Sequence, residues 1–369
     1  MKIRRLALLA LWAALGNSAP VLAQQESPTV IEEEAAGADT SWNYQSYYET
    51  INDHLIYFEM GALWLARNSP DNIVVGRVVD QNLNTIQTAT TNEFGTCFEP
   101  GMKVLMGFIL DSDTRVEVSY FGLNEWFRRA SLETSNENQP IASPYMSYGI
   151  LPAGPGATAD QQYAFDSQVN NVELNLKRFM FERGDYTFST LAGFRWFNLQ
   201  EAMIFNQSFV VAPADFPSAT GESTTMFTHN HLVGLQIGGE LLEDLGPLQL
   251  GVQGTAGAFA NFGSMKLSNL ALTNGPSTTI FDSSKQGTEA CALGQVSFTA
   301  EYMMFENVAL RGGYDLLFIS GLAFAPNQLE ANVQQSASGL VATGVGPATI
   351  KQDGFGFYHG PSITLVIFW

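Results

Sequence analysis

The chain ends on G-P-S-I-T-L-V-I-F-W, Gly360–Trp369. Read with a period of two, Ile363, Leu365, Ile367 and Trp369 share one side, and Ser362, Thr364, Val366 and Phe368 the other. Such a strand has one strongly apolar face and finishes on an aromatic at the C-terminus, where a water-soluble chain usually frays into polar residues. The pattern suits the closing strand of a transmembrane β-barrel, which must pair with the first strand, show an apolar face to lipid and set an aromatic at the interface. Pro361 has no N–H for a ladder, so regular pairing is expected only from Ser362 onward or across a bulge.

The same alternation recurs upstream. From Ile56 a first strand puts Phe58, Met60, Ala62 and Trp64 outward and Glu59, Gly61 and Leu63 inward. A second (Met102 to Leu110) and a third (Thr114 to Leu123) flank the turn Asp111-Ser112-Asp113 as a tight hairpin. Three more hairpins follow: about 169–179 with 186–196 across Glu182-Arg183-Gly184-Asp185, about 231–237 with 248–258 across Glu243 to Pro247, and about 296–302 with 308–316 across Phe305-Glu306-Asn307. Short turns alternate with long connections at about 67–96, 124–166, 200–227, 262–289 and 321–354. The expected fold is therefore all-β, an antiparallel up-and-down transmembrane barrel of about ten strands (8 to 12), with long extracellular loops and short periplasmic turns. Residues 73–79 and 203–211 carry enough β pattern to add strands or to extend the barrel above the membrane.

Composition agrees with that class. Charged residues make up 14% of the chain, well below the quarter usual for soluble domains, while Gly (34) and Phe (26) are abundant. Lys2, Arg4 and Arg5, the apolar run Leu6 to Leu15 and the small-residue site Val21-Leu22-Ala23 read as a signal peptide, 1–23. Its removal takes the formal charge from −19 to −22, since 14 bases then face 36 acids. So acidic a chain is a poor nucleic-acid ligand. Past the signal no run of eighteen apolar residues exists, so a membrane-spanning form must be a barrel. Residues 24–52, with Glu32, Glu33 and Glu34 in a row, read as a flexible periplasmic segment ahead of a barrel domain at 53–369.

The stretch M-G-F-I-L-D-S-D-T-R-V-E-V-S-Y-F-G-L, residues 106–123, resembles a recurring hairpin of the planctomycete-type outer-membrane family called beta-barrel protein seven. The opening E-M-G-A-L-W-L-A, residues 59–66, is similar to that family's first strand. The resemblance spans roughly 53–369 and implies an outer-membrane barrel without naming a substrate. It also implies that barrel-assembly machinery reads the terminal aromatic.

Inward charges are the first candidates for function: Glu59, Lys103, Arg115, Glu117, Glu173, Lys177, Arg195, Glu240, Glu301, Arg311 and Asp315. Register counted from the short turns sets Glu301 opposite Arg311, and Glu173 diagonal to Arg195. A lumen of mixed sign is either an ion or solute path or a set of pairs filling a narrow barrel. Filling is the stronger expectation, because interiors near eight strands are occupied by side chains and only wide porins leave channels. Tyr186, Tyr302 and Trp369 are expected in a periplasmic aromatic girdle, with Trp64, Tyr120 and Trp196 near the outer interface.

Four histidines occur: His54, His229, His231 and His359. His229 and His231 share a strand face, but two ligands without a third at fixed spacing make a weak metal motif. Neither a G-x-S-x-G elbow nor another nucleophile signature is present, so no catalytic residue, metal or cofactor site is assigned. Cys97 and Cys291 are a candidate disulfide. Both are expected on the lumen side of the long-loop mouth, four strand steps apart, whereas a bond needs Cα atoms within about 7 Å, so bridging would report loops folded over the mouth. The sequence thus points to a non-enzymatic outer-membrane barrel, structural or surface-interacting, in contact with membrane lipids and assembly machinery. A small porin-like pore is the alternative and a surface protease or lipid hydrolase the third class.

Overall fold

The computed structural model describes residues 55–369 except 69–71, 95–96, 149, 152–158, 210–213 and 216. The expected signal peptide, the segment 24–52 and His54 lie outside the described residues.

Ten antiparallel strands close into one barrel: β1 (Ile56–Arg67), β2 (Glu99–Ile109), β3 (Thr114–Thr134), β4 (Ala159–Arg183), β5 (Tyr186–Ser208), β6 (Ala219–Asp244), β7 (Leu248–Thr273), β8 (Thr278–Phe305), β9 (Val308–Leu322) and β10 (Gly354–Phe368). Each pairs with its neighbours in sequence, and β10 returns to β1. At this seam the Trp369 carbonyl accepts from the Leu55 and Ile56 N–H groups at 2.8 and 3.2 Å, and Trp369 donates to Ile56 at 2.9 Å. β10 runs straight through Pro361, which corrects the expectation that regularity begins at Ser362. The β1–β10 register passes from Leu63↔Ser362 to Ala66↔His359 without slipping. A Cβ on Gly360 would lie 1.7 Å from the Trp64 carbonyl oxygen, so only glycine fits where the two backbones touch beside the proline.

The stagger can be followed from partner to partner. From Tyr302 on β8 the path runs through Leu310, Leu365, Met60, Val104, Tyr120, Val172, Trp196, Val233 and Ala260. It returns to β8 at Ala290, twelve residues higher. Such a shear in ten strands tilts them by about 40°. Tyr186 and Trp196 therefore stand ten residues apart on the outer face of β5, roughly 25 Å in height at about 3.3 Å per residue, which is the height of a lipid-facing belt. Leu174, Phe194, Leu235, Ile237, Phe298 and Leu365 lie exposed within that belt.

Above Trp196 the amphipathic phase inverts. On β5 the outward side chains become Asn198, Gln200 and Asn206, while the inward Phe197, Leu199, Met203 and Phe205 are fully buried. β6 and β7 do the same, with Leu232 and Met226, and Phe259, Met265 and Leu267, turned inward. The wall thus leaves lipid for water and wraps around an apolar core of its own. This corrects the long loops expected at 124–166, 200–227 and 262–289: β3 to β8 run on for 21 to 28 residues each, whereas β1, β2, β9 and β10 have 11 to 15.

The tall six-stranded wall cradles a cap. Val74–Val79, within the flagged 73–79, forms a small sheet with Thr85–Thr90, Ile141–Ala142 and Ile150–Leu151, while the flagged Met203 onward extends β5. Helix α1 (Ala325–Asn332) and a hairpin of Val333–Gln335 with Ala342–Val345 complete it. Val75, Val78 and Leu329 of the cap share one core with Phe165, Phe205, Met226 and Met265 of the wall. Leu123, at φ 64, marks a bulge in β3 that moves the inward set from odd to even positions and turns Trp126 inside.

Candidate functional site in the barrel lumen

The lower lumen holds all eleven inward charges expected from the sequence, and alternation along the strands puts them there. Arg311 of β9 joins Glu59 of β1 and Glu301 of β8, the latter at 2.6 Å. Lys103 reaches Asp315 at 3.3 Å, and Asp315 also accepts from Ser297 and Gln295. Lys177 lies 3.1 Å from both Glu117 and Glu240, Arg115 bonds Glu240 at 3.0 Å, and Tyr57 donates to Glu117. Arg195 pairs with Glu173 at 3.4 Å inside a cage of amides: Asn171, Asn175 and Gln236 all donate to that carboxylate. Glu301 stands opposite Arg311 as expected. Glu173 stands directly opposite Arg195 rather than diagonal to it, because a bulge between Phe179 and Phe181 in β4 takes up one residue next to the turn.

These side chains leave a polar cavity of about 100 Å3, room for a few waters. Below it Tyr57, Leu242, Ala309, Val366 and Phe368 line the short-turn mouth. Above it an apolar layer built largely from the strands themselves crosses the lumen, including Leu63, Leu65, Phe121, Trp126, Phe197, Leu199, Leu232, Phe259, Leu317 and Tyr358. Among the described residues no group of three or more His, Cys, Asp or Glu side chains is placed to hold a metal ion.

Two polar sites above this layer escape a reading that stops the strands at the membrane. Arg67 and Glu201, both buried, pair at 2.5 Å, with Arg67 also donating to Ser167 and lying over the rings of Phe165, Phe324 and Tyr358. Glu201 also accepts from the Ala325 N–H, which opens α1. Both continue the inward parity of β1 and β5, the signal that would have found them. Higher up, Glu222 accepts four hydrogen bonds, from the Ser147 and Tyr148 N–H groups, Asn269 and Gln207. Burial pushes its carboxyl up from the ordinary value, against the pull of those donors. Asn230 and Asn261 likewise hold the backbone of Ala323 and Gly321, so wall side chains anchor the chain where β9 passes into the cap.

The cysteines are both free, which removes the candidate disulfide. Cys291 is buried in the apolar layer, whereas Cys97 is exposed at the rim beside Glu99 and Arg128, because β2 begins only at Glu99. Of the expected girdle, Tyr186, Tyr302 and Trp369 are exposed near the short turns, while Trp64, Tyr120 and Trp196 are partly covered higher on the outer face. A neighbouring cluster on the same outer face was missed: His359 packs against Phe98, Phe357 and Tyr314 and bonds the Tyr314 hydroxyl at 2.7 Å. His229 and His231 lie on the outer wall of β6 with ring centroids 5.6 Å apart.

No family model matches the chain, and no curated protein matches it. Among solved structures it is similar to the outer membrane protease OmpT of Escherichia coli, at 9% identity and a TM-score of 0.46 over 85% of this chain and 97% of that one. Neisserial surface protein A aligns at 10% identity and a TM-score of 0.27 over 85% and 97% of the two chains. The translocator domain of the autotransporter NalP from Neisseria meningitidis gives 7% and 0.27 over 85% and 88%. At these identities and TM-scores the likenesses assign no role.

Proposed function

We propose that this chain is a non-enzymatic, non-conducting barrel of the bacterial outer membrane, exported through a cleaved signal peptide, that carries a folded cap on a tall wall as a structural or surface-interaction module. The observation behind this reading is the apolar layer that crosses the lumen between the charge network and the cap. Its immediate partners are outer-membrane lipids along the belt and the assembly machinery at the terminal strand, as the resemblance to the planctomycete-type family implies. Purified protein in a planar bilayer is the test: the reading expects no steady open state, and stable channels would replace it with the small-pore alternative, which the charged cavity favours. Assays on peptides and phospholipids address the enzyme question, and turnover of either substrate would end the non-enzymatic reading.

A further inference from the structure

Just above Trp196 the outer wall carries a small array of uncharged polar side chains. Asn170, Asn198 and His231 are direct partners across β4, β5 and β6, and Gln168, Gln200 and His229 form the next row up. The row beneath is apolar, Val172, Trp196 and Val233, so the array begins where the belt ends. With strands about 4.8 Å apart and same-face residues about 7 Å apart, it covers roughly 10 Å by 7 Å, the footprint of one or two sugar rings.

Asn198, 2% exposed, is the covered centre of the array and orders the more open side chains around it. Asn198 lies 3.0 Å from Nδ1 of His231, donates to the Asn230 carbonyl and accepts from Gln200 at 3.2 Å. Tyr120 donates to Asn170 at 2.7 Å. Nε2 of His229 is enclosed yet has no hydrogen-bond partner, and the ring of Phe227 lies 4.7 Å from that imidazole. Amides and imidazoles offer donors and acceptors in equal measure, as hydroxyl-rich rings require, and the aromatics offer faces for ring stacking. A phosphate would call for cations, whereas the charged side chain bordering the array is the exposed Glu125 of β3, partner of Gln168, and Lys266 and Arg129 belong to rows above.

We propose that this array binds the sugar headgroup of an outer-leaflet glycolipid. The site is continuous with the lipid belt, so the proposal rests on the membrane reading above. Native mass spectrometry of the full chain, released from bicelles containing a neutral dihexosyl diacylglycerol and phosphatidylglycerol of the same chain length, measures which lipid stays bound. Two retained hydrogen bonds predict a preference of about tenfold for the glycolipid. The variant N170A/Q200A/H229A should bring retention to parity while still migrating as a heat-modifiable barrel. Equal or better retention of phosphatidylglycerol by the unaltered chain, or an unchanged preference in the variant, overturns the proposal and leaves the membrane reading standing. A chain that stays dispersed without detergent and retains neither lipid overturns both.

Discussion

Replacing Arg195 by Met separates a filled lumen from a hydrated one. Arg195 is fully buried and faces Glu173 at 3.4 Å, and the substitution leaves that carboxylate with amide donors alone, from Asn171 at 3.0 Å, Asn175 at 3.1 Å and Gln236 at 2.8 Å. Breaking a buried pair by removing one partner costs about 3–5 kcal/mol, and the surviving amides should hold the loss near the low end, about 3 kcal/mol. Replacing both partners, as in E173Q/R195M, removes the stranded charge, so the double variant should fall within about 1 kcal/mol of the parent. E173Q alone strands the buried Arg195 charge and should also cost about 3 kcal/mol, so the expected coupling is roughly 5 kcal/mol, read from urea unfolding of the reconstituted barrel by a double-mutant cycle. In a water-filled channel the same pair would contribute at most about 1 kcal/mol. Single variants near neutral, with no coupling, would refute the filled-lumen argument.

Deleting Phe368 and Trp369 removes the seam bonds to Leu55, Ile56 and Asn307 and should lower membrane levels far more than trimming two residues near Ser336, since unpaired backbone groups in lipid cost several kcal/mol each; normal levels would count against barrel closure by β10. E222Q replaces one acceptor oxygen by an amide, setting its hydrogens against either the Ser147 N–H and Asn269 or the Tyr148 N–H and Gln207, and should loosen that segment by about 1–3 kcal/mol, seen as faster proteolytic nicking around residues 140–148. Because the folded-state pKa of Glu222 is raised, its contribution is fullest below the ordinary carboxylate value and declines as pH rises through the raised one. Nicking of the parent should therefore quicken over that window, and a flat profile equal to that of E222Q would contradict the assignment. Thiol labelling of folded protein should modify Cys97 alone and denatured, unreduced protein two thiols per chain; no reactive thiols after denaturation would mean a bond that the free thiols exclude.

Below the belt edge the fold was legible because lipid outside and charge inside reinforce one period of two, as in Phe194 and Arg195 or Leu310 and Arg311. Parity alone was enough to bring the eleven lumen charges together. Above the edge the same strands carry the opposite phase, polar out and apolar in, so Asn198 and Gln200 read as the start of a loop although the ladder continues to Ser208. A single-residue bulge is equally silent in composition, which is why the register of Glu173 was off by one. Arg67 and Glu201 meet only when both strands are followed past the inversion, and Glu222 finds its donors on a cap segment far away in sequence.

If the strands' own side chains close the lumen, removing α1 and the hairpin that follows it leaves the closure intact. Leu322 and Gly354 are direct partners, so a short Gly-Ser turn can replace residues 323–353 without straining the barrel. Planar-bilayer conductance of that chain, which keeps the four-stranded sheet of the cap but lacks α1 and its hairpin and is shown to be folded by heat-modifiable migration, measures what is left. Leu63, Leu65, Phe121, Trp126, Phe197 and Leu232 all remain, and the prediction is a membrane as silent as with the full-length protein. Steady open channels would contradict it.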